Sequence, residues 1–297
     1  MAPGANRLRQ KPGRETLAQL AIGFVRLGRH RACKLSSLLI GDTIEIQGQI
    51  AAVTGGGSGL GRAIALGLAR EGAKVLVADV RAVEGQTVLQ EIRSAGGAGE
   101  FLAGDLSQEI AARAMIQFCV DRLGGLDILV NNAGLRMEQH DDGVYEPWRC
   151  IQTRPAHEVS VANWDLVLGV NLRAVFLCTH FALPHMMQRR RGTIISLSSN
   201  AGSHGVPGKS AYCASKHAVE GLMKTVAEEM REYGISANAI HPGGRVDVDG
   251  RGGSSPEIVV PLVLSLCRQD TPLVTGQTIK AKDWNEKRSN KPAGAPG

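Results

Sequence analysis

Apolar residues along this chain gather into short runs that end in glycine, aspartate or asparagine. Between the runs, apolar positions return every three to four residues. The first run, Ile50–Thr54 (IAAVT), has the continuous character of a strand buried on both faces. The segment after it, Gly59–Glu71 (GLGRAIALGLARE), has a helical pattern. The alternation then repeats. Lys74–Asp79, Glu100–Asp105, Leu126–Asn131, Gly192–Ser198, Ile235–Ile240 and Gln277–Lys280 read as strands. Glu84–Ser94, Ser107–Leu123, Val161–Arg189 (with a break expected at Pro184), Tyr212–Tyr233 and Pro256–Arg268 read as helices. Regular β-α alternation predicts an α/β fold: one domain with a doubly wound parallel sheet of about seven strands and helices on both faces.

The ends carry a different composition. Residues 1–40 hold eight Lys/Arg against the single acid Glu15, a balance of +7. The whole chain is +6, so the rest is −1. Basicity therefore belongs to an extension, residues 1–45, and nucleic acid is not an expected partner of the folded domain, residues 46–284. Within the extension, 15–27 fits a short amphipathic helix with Leu17, Leu20, Ala21 and Phe24 on one side. Its Arg-rich start fits an organelle transit peptide, but serine is sparse before Ser36, which favours a solvated extension or residues added by an upstream start. Residues 285–297 read as a disordered tail. Cys33, Cys119, Cys150, Cys178, Cys213 and Cys267 form no C-x-x-C pair. With no secretory leader recognised, this points to reduced thiols and a cytoplasmic location. The eight histidines have no ligand spacing, so no metal is expected. No apolar run of about 18 residues is seen, so no membrane span is expected.

The chemistry starts after the first strand. In TGGGSGLG, Thr54–Gly61, the spacing G-x-x-x-G-x-G sits between a strand and a helix. Absent β-carbons let backbone approach a phosphate, and the helix N-terminus offers free N–H groups, as in Rossmann-type dinucleotide sites. Asp79 ends the second strand. An acid there accepts hydrogen bonds from adenosine ribose hydroxyls and repels a 2′-phosphate, which favours NAD over NADP. Arg81 lies two residues on and can blunt that discrimination, so NADP is not excluded. Further along, SAYCASKHA places Tyr212 and Lys216 four residues apart, on one face of a helix.

With these motifs the sequence resembles the short-chain dehydrogenase/reductase family, from about Gly48 to Lys280. The resemblance is carried by TGGGSGLG, Asp105-Leu106, NNAG at Asn131–Gly134, Asn171 in VNLRAVF, Ser199 in LSSNAG, YCASK, and HPGG at His241–Gly244. It implies that Tyr212 is the general acid/base and that Lys216 lowers its pKa and binds the nicotinamide ribose. Ser199 would hydrogen-bond the substrate oxygen, with Ser198 as the alternative if the loop shifts by one. Asn171 would hold a relay water, or else simply cap a kink. Gly55, Ser58, Gly59, Leu60, Gly61, Asp79, Asp105, Leu106, Asn131, Ala133, Gly134, Pro242 and Gly243 would bind the cofactor, with Asp105 at the adenine and Asn131 lining the groove. The implied activity is interconversion of a secondary alcohol and a ketone, by a homodimer or homotetramer. A non-catalytic dinucleotide-binding regulator on the same fold is the alternative.

The chain departs from the family pattern in three places. Residues 135–157 look like an insertion on the substrate side, where Tyr145, Trp148 and Arg149 are candidate substrate contacts. The lid after Pro242 is short, Gly243–Ser255, with Asp247 near the place of a threonine that touches the nicotinamide amide; the insertion is expected to replace part of that cover. The C-terminal end, AKDWNEKRSNKPAGAPG, replaces the usual tail, with Trp284 a candidate contact to a neighbouring subunit.

Overall fold

In the computed structural model, which describes residues 44–138, 150–247, 252–269 and 274–290, the first apolar run is β1 (Ile50–Thr54), buried along its length. It is followed by α1 (Gly59–Arg70), β2 (Lys74–Asp79), α2 (Ala82–Ser94), β3 (Ala98–Ala103), α3 (Glu109–Phe118) and β4 (Ile128–Asn131). A short pair, β5 (Arg136–Glu138) and β6 (Cys150–Gln152), precedes α4 (Val161–Leu168) and α5 (Ala174–Arg189). Then come β7 (Gly192–Leu197), α6 (Ser210–Glu229), β8 (Ile235–His241), α7 (Val260–Cys267), β9 (Thr278–Lys280) and α8 (Ala281–Ser289).

Seven strands form one parallel sheet in the order β3-β2-β1-β4-β7-β8-β9. The sequence-predicted fold class stands. Alternate strand residues face opposite layers, as a period of two requires. Leu76, Leu129 and Ile194 pack with Met115, Ala182 and Met223 on one face. Val77, Val130 and Ile195 pack with Ile64, Leu262 and Val263 on the other. Burial on both faces is why these strands read as unbroken apolar runs. Strand order reverses between β1 and β4, so their C-terminal ends diverge and open a crevice.

Several boundaries differ from the sequence expectation. Val161–Arg189 does not break at Pro184, which sits inside α5; the stretch is continuous helix interrupted only by a π turn, Gly169–Arg173. Pro184 and His180 are both exposed, so water can serve the His180 carbonyl that proline leaves without a donor. That same 29-residue stretch is long and apolar enough by composition to cross a membrane, but Val175, Cys178, Ala182 and Met186 of α5 are core residues. Strand β3 begins two residues early, at Ala98, and as an edge strand it is only half-buried. The β5–β6 pair has no counterpart in the sequence pattern; it lies within the expected insertion, 135–157.

Helix α8 runs past the boundary drawn at residue 284. Trp284 is partly buried and packs against the α1–α7 layer of this chain, with Arg288 over its ring. The expected helix at 15–27, Tyr145, Trp148 and Arg149, residues 248–251 of the lid and the tail after 290 lie outside the described residues. Among the described residues, Cys119, Cys178, Cys213 and Cys267 are free and buried, and no cluster of metal-ligating side chains occurs.

Candidate active site

A cleft of about 1150 Å³ lies at the C-terminal ends of the strands, across the point where strand order reverses. Its floor at one end is the glycine loop. Gly55 has φ +61°, and a β-carbon there would lie 2.8 Å from Ala133 Cα; a methyl on Gly61 would strike the Gly55 carbonyl oxygen. Ser58 precedes α1 without a side-chain cap, so the first-turn N–H groups remain available to an anion. Asn132 braces this loop by donating to the Thr54 and Gly55 carbonyls, both at 3.0 Å. These features fit a dinucleotide diphosphate.

Asp79 is 4% exposed at the end of β2. Its Oδ2 accepts the Gly57 N–H at 2.9 Å, and its Oδ1 accepts the Arg81 N–H at 2.9 Å and pairs with the guanidinium at 3.3 Å. Arg81 also donates to Ser58 Oγ at 2.8 Å and pairs with Glu84. The acid at the end of β2 and the arginine two residues on are thus one network. Asp105 accepts from Ser107 through both its N–H and its hydroxyl, and Leu106 is buried beside it.

At the other end, β7 and α6 bring three side chains together. Tyr212 and Lys216 stand one turn apart on α6, with Nζ 5.7 Å from the phenol ring centroid. Nζ donates to the Leu197 carbonyl at 2.6 Å. Burial pushes Lys216 down from 10.5 to about 8. Ser199 follows β7 and lines the cleft, where its hydroxyl accepts the Ala201 N–H at 3.3 Å. Ser198 also borders the cleft, but its hydroxyl donates to the buried carboxylate of Glu220 at 2.7 Å.

Most residues singled out from the sequence line this one cleft: Gly55, Ser58, Gly59, Leu60, Asp79, Asp105, Leu106, Ala133, Gly134, Ser199, Tyr212, Lys216 and Pro242. Four do not. Gly61 lies behind Gly55, and Gly244 takes the lining position expected for Gly243. Asn131 is buried below the floor and donates to Thr179 and Ser196, both at 3.2 Å; Asn132, the next residue of NNAG, is the one at the surface of the cleft. Asn171 is buried in the π turn. Its Oδ1 accepts the Leu135 N–H at 2.7 Å, and its Nδ2 donates to the Leu135 carbonyl and Ser215 Oγ. Ser215 in turn donates to the Tyr212 carbonyl at 2.7 Å. The side chain of Asn171 therefore links the β4 loop to the helix that carries Tyr212.

The insertion reaches the same place. Ile151 joins Leu135, Val167 and Ala211 in a small cluster against which Tyr212 packs, and the Arg154 N–H donates to the Gly208 carbonyl at 3.1 Å. No periodic signal announces these contacts, because three-residue strands are too short to show one.

Residues 49–253 match the short chain dehydrogenase family model. A cyclohexanol dehydrogenase from Acinetobacter sp. (strain SE19) is 32% identical over 247 residues, covering 78% of this chain and 92% of the relative. A (+)-borneol dehydrogenase from Salvia officinalis is 36% identical over 201 residues, covering 67% of this chain and 65% of the relative. The crystal structure of a dehydrogenase/reductase from Sinorhizobium meliloti 1021 superposes with a TM-score of 0.69 at 33% identity, covering 80% of this chain and 95% of that one. The chain belongs to the short-chain dehydrogenase/reductase family of NAD(P)-linked oxidoreductases.

Proposed function

We propose that the protein is an NAD-preferring oxidoreductase that interconverts a secondary alcohol and a ketone. The observation that carries this reading is the buried Lys216 ammonium beside the Tyr212 ring, on the same cleft as Ser199 and the glycine loop.

The glycine loop and the start of α1 would hold the diphosphate, Asp79 the adenosine ribose, Asp105 and Leu106 the adenine, and Pro242 with Lys216 the nicotinamide riboside. When bound, the nicotinamide supplies the hydride acceptor or donor. The chain's own residues handle the proton. Ser199 holds the substrate oxygen by a hydrogen bond. Tyr212 takes the alcohol proton in oxidation and returns it in reduction. A phenol of ordinary pKa near 10 is a weak base at neutral pH, and the adjacent ammonium favours its ionised form. With a pKa of about 8, Lys216 is still largely charged at pH 7. Asn171 acts through Ser215 and Leu135 by holding the Tyr212 helix against the β4 loop.

Asp79 supports NAD, since a carboxylate at the end of β2 can accept hydrogen bonds from the ribose hydroxyls and repels a 2′-phosphate. Exposed Val161 and Phe176 on α4 and α5 support a homo-oligomer built through those helices. Free buried thiols support a cytoplasmic setting.

The test is NADH absorbance with purified protein and a panel of secondary alcohols, run with NAD and with NADP. The reading expects turnover, with a higher kcat/KM for NAD. NADH binding without turnover of any alcohol would leave the regulatory alternative instead.

A further inference from the structure

We infer that the substrate carries an anionic group, a carboxylate or phosphate, received by Lys209 and Arg245 at the catalytic end of the cleft. This rests on the alcohol–ketone reading above and adds the substrate class.

Charge is segregated along the cleft. The carboxylates that line it, Asp79 and Asp105, are at the adenine end, and both are committed to neighbouring groups. The charged residues lining the catalytic end are Arg136, Lys209, Lys216 and Arg245, all cationic. Arg136 has a partner of its own, and Lys216 is used by the Leu197 carbonyl. Lys209 and Arg245 form no ion pair or side-chain hydrogen bond with any described residue. Elsewhere the guanidinium groups are typically paired, as in Arg62–Glu91, Arg189–Asp127 and Arg268–Glu71. Two cations lining one cleft, without counterions among the described residues, raise the local concentration of anions, because low-dielectric walls focus the field.

The two residues come from separate elements that line the same cleft as Tyr212. Lys209 immediately precedes α6, three residues before Tyr212, and its backbone is fixed by bonds from its N–H to Val206 at 3.1 Å and from Cys213 to its carbonyl at 2.8 Å. A cation at that end of a helix opposes the helix dipole, so the site is left electropositive. Arg245 lies in the segment after β8, which the bonds Asp247 N–H to Ser254 and Ser254 N–H to Arg245 fold into a short bridge. Leu166, Val170 and Val206 line the same end. The geometry fits a molecule with an apolar body and one anionic terminus. The other source of anionic charge is the cofactor diphosphate, which belongs at the glycine loop.

The experiment is calorimetric titration of NAD-saturated protein, which has no hydride to give a ketone, with a panel of keto acids, each paired with its neutral methyl ester. Wild type is compared with the Lys209→Met, Arg245→Met double variant. At least one keto acid should bind about tenfold or more tighter than its ester, the strength of a charge-assisted hydrogen bond. The double variant should bring the pair to near parity, while NAD affinity in that variant stays within about twofold. The inference is overturned if no acid outranks its ester, if the preference survives in the double variant, or if NAD affinity falls with it, which would assign the cations to the cofactor. Binding is read without turnover, so failure of the alcohol–ketone reading, seen as no hydride transfer, stays distinguishable.

Discussion

Ser198 donates its hydroxyl to Glu220 at 2.7 Å and so ties the segment after β7 to α6. One turn earlier on the same helix, Lys216 grips the Leu197 carbonyl. Ser199 is therefore held by its two preceding residues against the helix that carries Tyr212. Glu220→Ala leaves the Ser198 hydroxyl buried without its acceptor. The expected loss is about 1–3 kcal/mol, read by chemical unfolding, together with lower turnover as Ser199 loosens. Glu220→Gln retains an acceptor and should recover most of both.

Gly61 offers a sharper steric test. A methyl there meets the Gly55 carbonyl and the Asn132 amide, and that amide is itself held by the Thr54 and Gly55 carbonyls. Gly61→Ala should weaken NADH binding by about tenfold or more and lower stability by about 1–3 kcal/mol. Fluorescence titration and thermal unfolding measure the two effects.

The Asp79–Arg81 pair predicts how cofactor choice can be changed. Asp79→Ala removes the carboxylate that engages the guanidinium at 3.3 Å. NAD should bind more weakly, and Arg81 becomes available to a 2′-phosphate. The ratio of kcat/KM for NADP over NAD should rise by about tenfold or more, the scale of one charge-assisted hydrogen bond to the phosphate. An unchanged ratio would remove Asp79 from the selection of the cofactor.

Lys216 predicts a pH dependence of stability. Burial lowers its pKa from 10.5 to about 8. Below pH 8 both the folded and unfolded chains carry the proton, and the folded chain bears the whole desolvation penalty. Between pH 8 and 10.5 the folded chain has released a proton that the unfolded chain keeps. The unfolded state binds more protons there, so stability rises with pH across that window, by on the order of 3 kcal/mol. Urea unfolding of wild type against Lys216→Met isolates the effect. The difference should move in favour of wild type as pH rises, and a flat difference would contradict the burial argument.

The strands were legible in the sequence because both faces of the sheet are covered, which leaves continuous apolar runs such as Ile50–Thr54. The glycine loop, Asp79, Tyr212 and Lys216 were legible because each sits at a strand end or on one helix face, whereas Ser199 was legible only through the family resemblance. What was not legible depends on tertiary context. Asn131 and Asn132 are equivalent in sequence, but the pleat turns Asn131 under the floor and leaves Asn132 at the glycine loop. Pro184 is tolerated because it faces outward, and the irregularity of this helix is instead the π turn that holds the buried Asn171. The β5–β6 pair and the docking of Arg154 on Gly208 follow from long-range contacts that leave no local pattern.

The most direct test of the account is NAD reduction by a secondary alcohol, compared between wild type and Tyr212→Phe. The substitution removes only the phenolic oxygen and leaves the ring in its packing against Leu135 and Ile151. The account predicts that turnover falls by about a thousandfold, the scale of general acid/base catalysis, while NADH affinity changes by less than about twofold. Turnover that survives in Tyr212→Phe with wild-type kcat would contradict it.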